Sequence, residues 1–176
     1  MDSDLGQIEE YWYPIDEFPD YEISNTGLVV NSDTNRIMKT SKTSQGALKV
    51  GLMGFDGKQH TRSVKVLVAE AFVGGRDDVF NTPINLDGDQ ENCNAENLVW
   101  RPRWFAWKYT AQFAQHYSYY TASPIQDTAS GEVYANIYEA ATRHGLLMKD
   151  VLVSCHHGKE CFPTGQVFKI LTRTRL

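Results

Sequence analysis

The chain has 176 residues, 41% of them hydrophobic and 22% charged, an ordinary globular balance that supports one or two small domains and excludes wholesale disorder. Its net charge of −5 is the wrong sign for a protein whose whole surface grips nucleic-acid phosphates. No apolar run approaches the roughly 20 residues of a membrane span, and the acidic start MDSDLGQIEEYW has no apolar stretch to act as a secretory signal. Cys93, Cys155 and Cys161 lack framework spacing, which suits free thiols in a reducing cytosol. The charge is uneven: residues 1–122 carry 11 Lys and Arg against 17 Asp and Glu, and residues 123–176 carry 6 against 5. Any DNA-binding surface must therefore be a local patch, with the C-terminal third the place for it.

Residues 12–30, WYPIDEFPDYEISNTGLVV, alternate aromatic and apolar positions about the turn Ser24-Asn25-Thr26-Gly27, which predicts a β-hairpin. Strands are expected over 47–54 and 60–66, joined by Phe55-Asp56-Gly57-Lys58. Val66, Leu67, Ala71 and Phe72 then share one face of a short helix ending near Gly74-Gly75. Residues 83–100, PINLDGDQENCNAENLVW, predict two short strands around a polar turn opened by Asp87-Gly88, its backbone bonded by Asn92, Asn94 and Asn97. A helix follows Pro102 to about Tyr117, and 118–124 reads as a linker. A hairpin over 125–134, turning at Ser130-Gly131, starts a second unit. Helices over 137–144 and 148–155 flank Gly145 with helix-turn-helix grammar, and 166–171 is a closing strand. The division is therefore 1–120 and 121–176.

At this point four segments resemble one family, the bacteriophage HNH homing endonucleases. WYPIDEFPDYEISNTGLVV is similar to that family's N-terminal module, SVKVLVAEAF to its V-H-R-L-V-A-x-x-F helix, and PINLDGDQENCNAENLVW to its V-[ND]-H-x-D-G-[DN]-x-x-N-N-x-x-x-N-L-x-W core. VYANIYEAATRHGLLMKDVLVSCHHGKE resembles the small C-terminal module that reads the target site. The resemblance implies an α+β chain: a small antiparallel β unit, a ββα-metal core, and a hairpin with helix-turn-helix at the end.

The resemblance also implies a chemistry. Cleaving a phosphodiester requires an activated water and stabilisation of developing charge; the family uses one divalent cation on oxygen ligands and one histidine as general base. In this sequence the first ligand position falls on Ile84, the histidine on Asn85 and the second ligand on Ala106, while Asp87 and Asn97 match structural positions. Isoleucine has no lone pair for a metal, and an amide is no base at neutral pH. The expectation is a degenerate site with no metal and no cofactor, in a chain retained as a DNA-binding or accessory protein. An active endonuclease with a rearranged site would need Mg²⁺ or Mn²⁺. Relocated parts for it would be Asp87, Asp89 and Glu91 for the cation and His60 or His116 for the base. Cys155, His156, His157 and Cys161 offer zinc-type ligands in an unfamiliar spacing. A third alternative is a phage structural or interaction subunit, virion-associated rather than in the host-cell cytoplasm.

Binding residues follow from the same reading. Double-stranded DNA is expected to meet Arg143, Lys149 and Lys159 on the C-terminal module, together with Arg101, Arg103 and Lys108; Lys169, Arg173 and Arg175 add charge near the end. Nine aromatics crowd residues 100–120. On a helix, Trp104, Trp107 and Ala111 share one face, and Phe105, Tyr109 and Phe113 another. The first face is expected to meet a phage or host protein, because aromatics supply most interface hot spots; stacking on unpaired bases is the other use of such a face.

Overall fold

A computed structural model describes residues 9–114 and 123–171. It is α+β, with small antiparallel sheets and four α-helices, as expected. The chain forms two compact units, one of Met1–Pro83 with Gln90–Trp100 and the other of Ile84–Asp89 with Arg101–Leu176. The expected division after residue 120 lies outside the described residues; so do His116, Tyr117, Tyr119, Tyr120, Arg173, Arg175 and most of the 118–124 linker.

In the first unit, β1 (Trp12–Ile15), β2 (Phe18–Ser24), β3 (Val29–Asn31) and β4 (Arg36–Ile37) form one antiparallel sheet in chain order. Phe18, Tyr21 and Ile23 of β2 enter the core. Pro14 is tolerated because β1 is an edge strand. The turn after β2 is closed by Ser24 Oγ, which accepts Leu28 N at 3.0 Å. Gly27 has φ +94°, and a Cβ there would stand 3.0 Å from Cys93 Cβ, so glycine is required twice over.

A second sheet orders β5 (Thr40–Lys42), β6 (Leu48–Met53) and β7 (Gln59–Ser63), and β7 runs directly into α1 (Val64–Phe72). Val64, Leu67, Val68 and Ala69 bury one face of α1 in a core shared with Ile23, Val50, Leu52 and Trp100. Trp100 Nε1 donates to Val73 O at 2.8 Å, closing the end of α1. Next come β8 (Thr82–Asn85), a 3₁₀ turn at Ala95–Asn97, and β9 (Leu98–Arg101), with β8 and β9 forming a two-stranded sheet.

The second unit contains α2 (Arg103–Gln112), then a sheet of β11 (Val133–Tyr134), β10 (Ile125–Asp127) and β12 (Phe168–Ile170), with α3 (Ile137–His144) and α4 (Met148–His157) between β11 and β12. Asn136 caps α3, its Oδ1 accepting Glu139 N at 2.9 Å. Gly145 ends α3 in the left-handed conformation, and Leu146, Met148 and Val151 turn inward onto Ile125, Tyr134, Ala140 and Phe168. Two side chains hold the α3–α4 turn. The Arg101 guanidinium donates to His144 O at 2.7 Å and Gly145 O at 3.2 Å. Gln112 accepts Met148 N at 2.9 Å and donates to Leu146 O at 3.4 Å, so one amide serves both limbs of the turn.

Several boundaries differ from the sequence reading. Residues 12–30 hold three strands, because Asp16-Glu17 also turns the chain without glycine or asparagine to signal it. The strand expected to reach Val66 stops at Ser63, where the apolar helix pattern takes over. Pro102 is the cap before α2 rather than its first residue. The final helix runs to His157 and closes on Gly158 at φ +63°.

Acid sensitivity should concentrate in this unit. Burial lowers the His144 value below its ordinary 6.5, and Tyr134 Oη lies 2.7 Å from its Nε2. Burial would raise the Asp127 carboxyl, but Ala129 N, Gln166 and Ser130 donate to it and hold it below its ordinary value. A folded-state pKa below the unfolded one gives stability that is present above the unfolded value and lost as pH falls. Thermal melts should therefore hold steady above pH 7, weaken as pH falls below the ordinary 6.5 for His144, and weaken again as it falls below the ordinary 3.8 for Asp127. In His144→Gln the upper limb of that profile should disappear. A second outcome concerns the clamp: Arg101→Ala should cost about 2–4 kcal/mol in denaturant unfolding, because it strands two carbonyls, and Gln112→Ala about 1 kcal/mol.

Candidate functional site

The residues at the expected catalytic positions lie at the end of β8, Ile84 and Asn85, and on α2, Ala106. Ile84 and Asn85 are each 1% exposed and Ala106 is 6% exposed. The Asn85 carbonyl accepts Gly88 N at 3.0 Å, and Asp87 Oδ1 accepts Asp89 N at 2.9 Å, so Asp87 fastens its own turn. Helix α2 lies over this segment. Tyr109 Oη donates to Leu86 O at 2.6 Å, and burial raises its phenol far above the ordinary range, keeping it a donor. Phe113 rests against Gly88, where a Cβ would meet the ring at 2.5 Å. Phe105, Tyr109 and Phe113 form a continuous run, with ring centroids 6.2 and 5.3 Å apart, inside the favourable range for aromatic pairs.

Ile84, Asn85 and Tyr109 offer hydrocarbon, amide and phenol here, none of them a base at neutral pH. Of the relocated parts, His116 lies outside the described residues. Glu91 pairs with Lys42, His60 Nε2 lies 3.0 Å from Asp56 Oδ1, and no three His, Cys, Asp or Glu side chains gather as a metal-ligand group among the described residues. Burial pushes the thiols of Cys155 and Cys161 up to about 11, so neither supplies a thiolate at neutral pH. In the first unit, Asn97 Nδ2 donates to Asn92 O at 2.9 Å, the loop-pinning contact expected of it.

The cations divide by exposure. Arg103, Lys108, Arg143, Lys149 and Lys159 are exposed, with Arg143 Nε 3.6 Å from Glu132 Oε1. Arg101 is the correction. It was expected on the DNA surface, but its side chain is buried and its donors serve the end of α3; a strand leading into a packed helix draws it inward. Lys149 and Arg143 sit on α4 and α3, and Lys159 follows α4. Trp104 and Trp107 are 54% and 74% exposed, and Lys108 Nζ lies 5.1 Å from the Trp104 ring centroid. Sequence reasoning missed Gln112 and the role of Phe113. The Gly88–Phe113 contact leaves no local trace, while Gln112 is only visible as the polar residue on the inward side of α2.

The NUMOD4 motif matches residues 10–52, the sheet of β1 to β4 and the strands that follow. Two uncharacterized HNH endonucleases of Acanthamoeba polyphaga mimivirus are similar: one is 31% identical over 100 residues, covering 57% of this chain and 24% of its own length. The other is 36% identical over 89 residues, covering 51% of this chain and 26% of its own length. The matched region thus spans about a quarter of each relative. Among solved structures, one concerned with DNA binding and cleavage by the HNH homing endonuclease I-HmuI superposes with a TM-score of 0.53 at 21% identity, covering 93% of this chain and 99% of that one. The chain thus carries a NUMOD4 motif, is similar over part of its length to two viral HNH endonucleases, and shares its fold with the I-HmuI structure.

Proposed function

We propose that this chain binds double-stranded DNA without cutting it, as a regulator or accessory factor built on the homing-endonuclease scaffold. The observation that carries the reading is the closed turn: Ile84, Asn85 and Ala106 are buried, and Tyr109 and Phe113 lie over Leu86 and Gly88. Losing a general base costs roughly 10²–10⁴ in rate, and losing the cation removes the main electrostatic stabilisation of the transition state. Both losses fall on one segment.

DNA binding is assigned to α3 and α4. Their turn is fixed from behind by Arg101 and Gln112, so the exposed Lys149, Arg143 and Lys159 stand on a rigid pair. A rigid presentation matters because phosphate contacts set orientation as well as affinity. The acidic remainder of the chain confines that contact to a patch and lowers non-specific affinity. The C-terminal unit carries the positive charge that the first unit lacks.

Two outcomes check the reading. Supercoiled plasmid incubated with the protein and Mg²⁺ or Mn²⁺ should stay intact; nicking that a chelator abolishes would contradict the proposal. Duplex binding by fluorescence anisotropy should weaken with salt, with a slope near −3 in log–log form for three phosphate contacts, roughly 0.9 per contact. Lys149→Ala or Lys159→Ala should each reduce that slope by about 1. Arg101→Met should leave the slope unchanged once the protein is shown to be folded, because that guanidinium faces inward.

A further inference from the structure

One surface is not used by this reading. Arg103, Trp104, Trp107 and Lys108 project from α2 within an arc of about 140° at 100° per residue, opposite the side on which Phe105 and Tyr109 are buried. Exposed tryptophan is costly to leave in water, and here two stand in one patch, flanked by Phe162, whose ring centroid is 5.4 Å from that of Trp104. A cation flanks the ring pair on each side: Arg103 with Trp107 and Trp104 with Lys108 are both i,i+4 pairs. Helix α2 carries no carboxylate, in a chain whose net charge is −5. Lys149 of α4 adds to the same field. Burial raises the nearby Asp150 carboxyl, and Lys108 and Lys149 both act against that rise.

We propose that the face of α2 made by Arg103, Trp104, Trp107 and Lys108 is a stacking surface for unpaired bases of single-stranded DNA. This inference deepens the DNA-binding reading and rests on it, but uses a different surface. A protein-interface rim carries polar groups of either sign; here both flanks of the ring pair are cationic and the helix has no carboxylate, which suits the phosphates of a strand stacked on those rings. Stacking of this kind tolerates any base, because every base presents a π-face.

The test uses the full chain, an oligo(dT) strand of about a dozen nucleotides, within the range one small module covers, and a duplex of mixed sequence. Titration with oligo(dT) should quench tryptophan fluorescence and weaken with salt. Trp107→Ala should lower oligo(dT) affinity by about tenfold, and Trp104→Ala with Trp107→Ala by more than thirtyfold, taking about 1–3 kcal/mol per stacked base. Duplex affinity should change by less than about threefold, since the α3–α4 cations are untouched. Trp107→Phe should recover most of the loss, which a merely structural role would not predict for so exposed a side chain. Trp104 packs against Phe105 and Phe162, so the single Trp107 variant decides the matter if the double variant melts early. Duplex binding without oligo(dT) binding, equal oligo(dT) affinity in Trp107→Ala, or self-association that the same substitution abolishes would each overturn the stacking surface while leaving the duplex reading intact. Failure to bind either nucleic acid would overturn both.

Discussion

Helix α2 packs its aromatic side onto the turn of residues 84–89, and much of the second unit follows from that contact. Phe113 can lie against Gly88 only because glycine offers no Cβ there, and Tyr109 fixes the Leu86 carbonyl from the same side. The helix thus spends one face on a segment that, in a metal nuclease of this architecture, would need open oxygen ligands. Once the face is committed, its far end is free to serve another purpose. Gln112 reaches the α3–α4 turn, and Arg101, just ahead of α2, reaches the last carbonyls of α3. A single helix therefore closes one site and braces another.

The energetic logic agrees with the substitutions. A carboxylate and an imidazole facing a cation belong in a wet, polar pocket; isoleucine and a hydrogen-bonded amide belong in a packed one. Asn85 is buried, and no buried polar side-chain atom among the described residues is left without a partner, so the turn is satisfied as a structural element. Asp87 bonds within its own turn, and Asn97 pins the loop of the first unit. Both contacts shape backbone.

Much of this was readable from residues. Alternation in 18–24 marks β2, the Ser-Asn-Thr-Gly run marks its turn, and Gly145 marks the end of α3, because each signal is local and has one strong physical cause. The two faces of α2 were also legible: Phe105 and Tyr109 are buried while Trp104 and Trp107 are exposed, as helical spacing requires. Other features depend on contacts far apart in sequence. Arg101 looks like any surface cation until the carbonyls of His144 and Gly145 are found beside it, 43 and 44 residues away. The turn at Asp16-Glu17 uses no turn-specific residue. Strands β4 and β5 are two and three residues long, too short for a period to show. Among the described residues, no helix is long and apolar enough to cross a membrane, in line with the hydropathy of the sequence.

The closed state of the 84–89 turn is the central claim, and it can be observed without any cleavage assay. Amide spectra of ¹⁵N-labelled protein, titrated with Mn²⁺ to one equivalent, report which backbone groups lie near a bound cation. The account predicts no selective broadening at Asn85 to Asp89 and slow hydrogen exchange at Gly88 N–H. Selective loss of those signals at stoichiometric Mn²⁺, reversed by chelator, would contradict it.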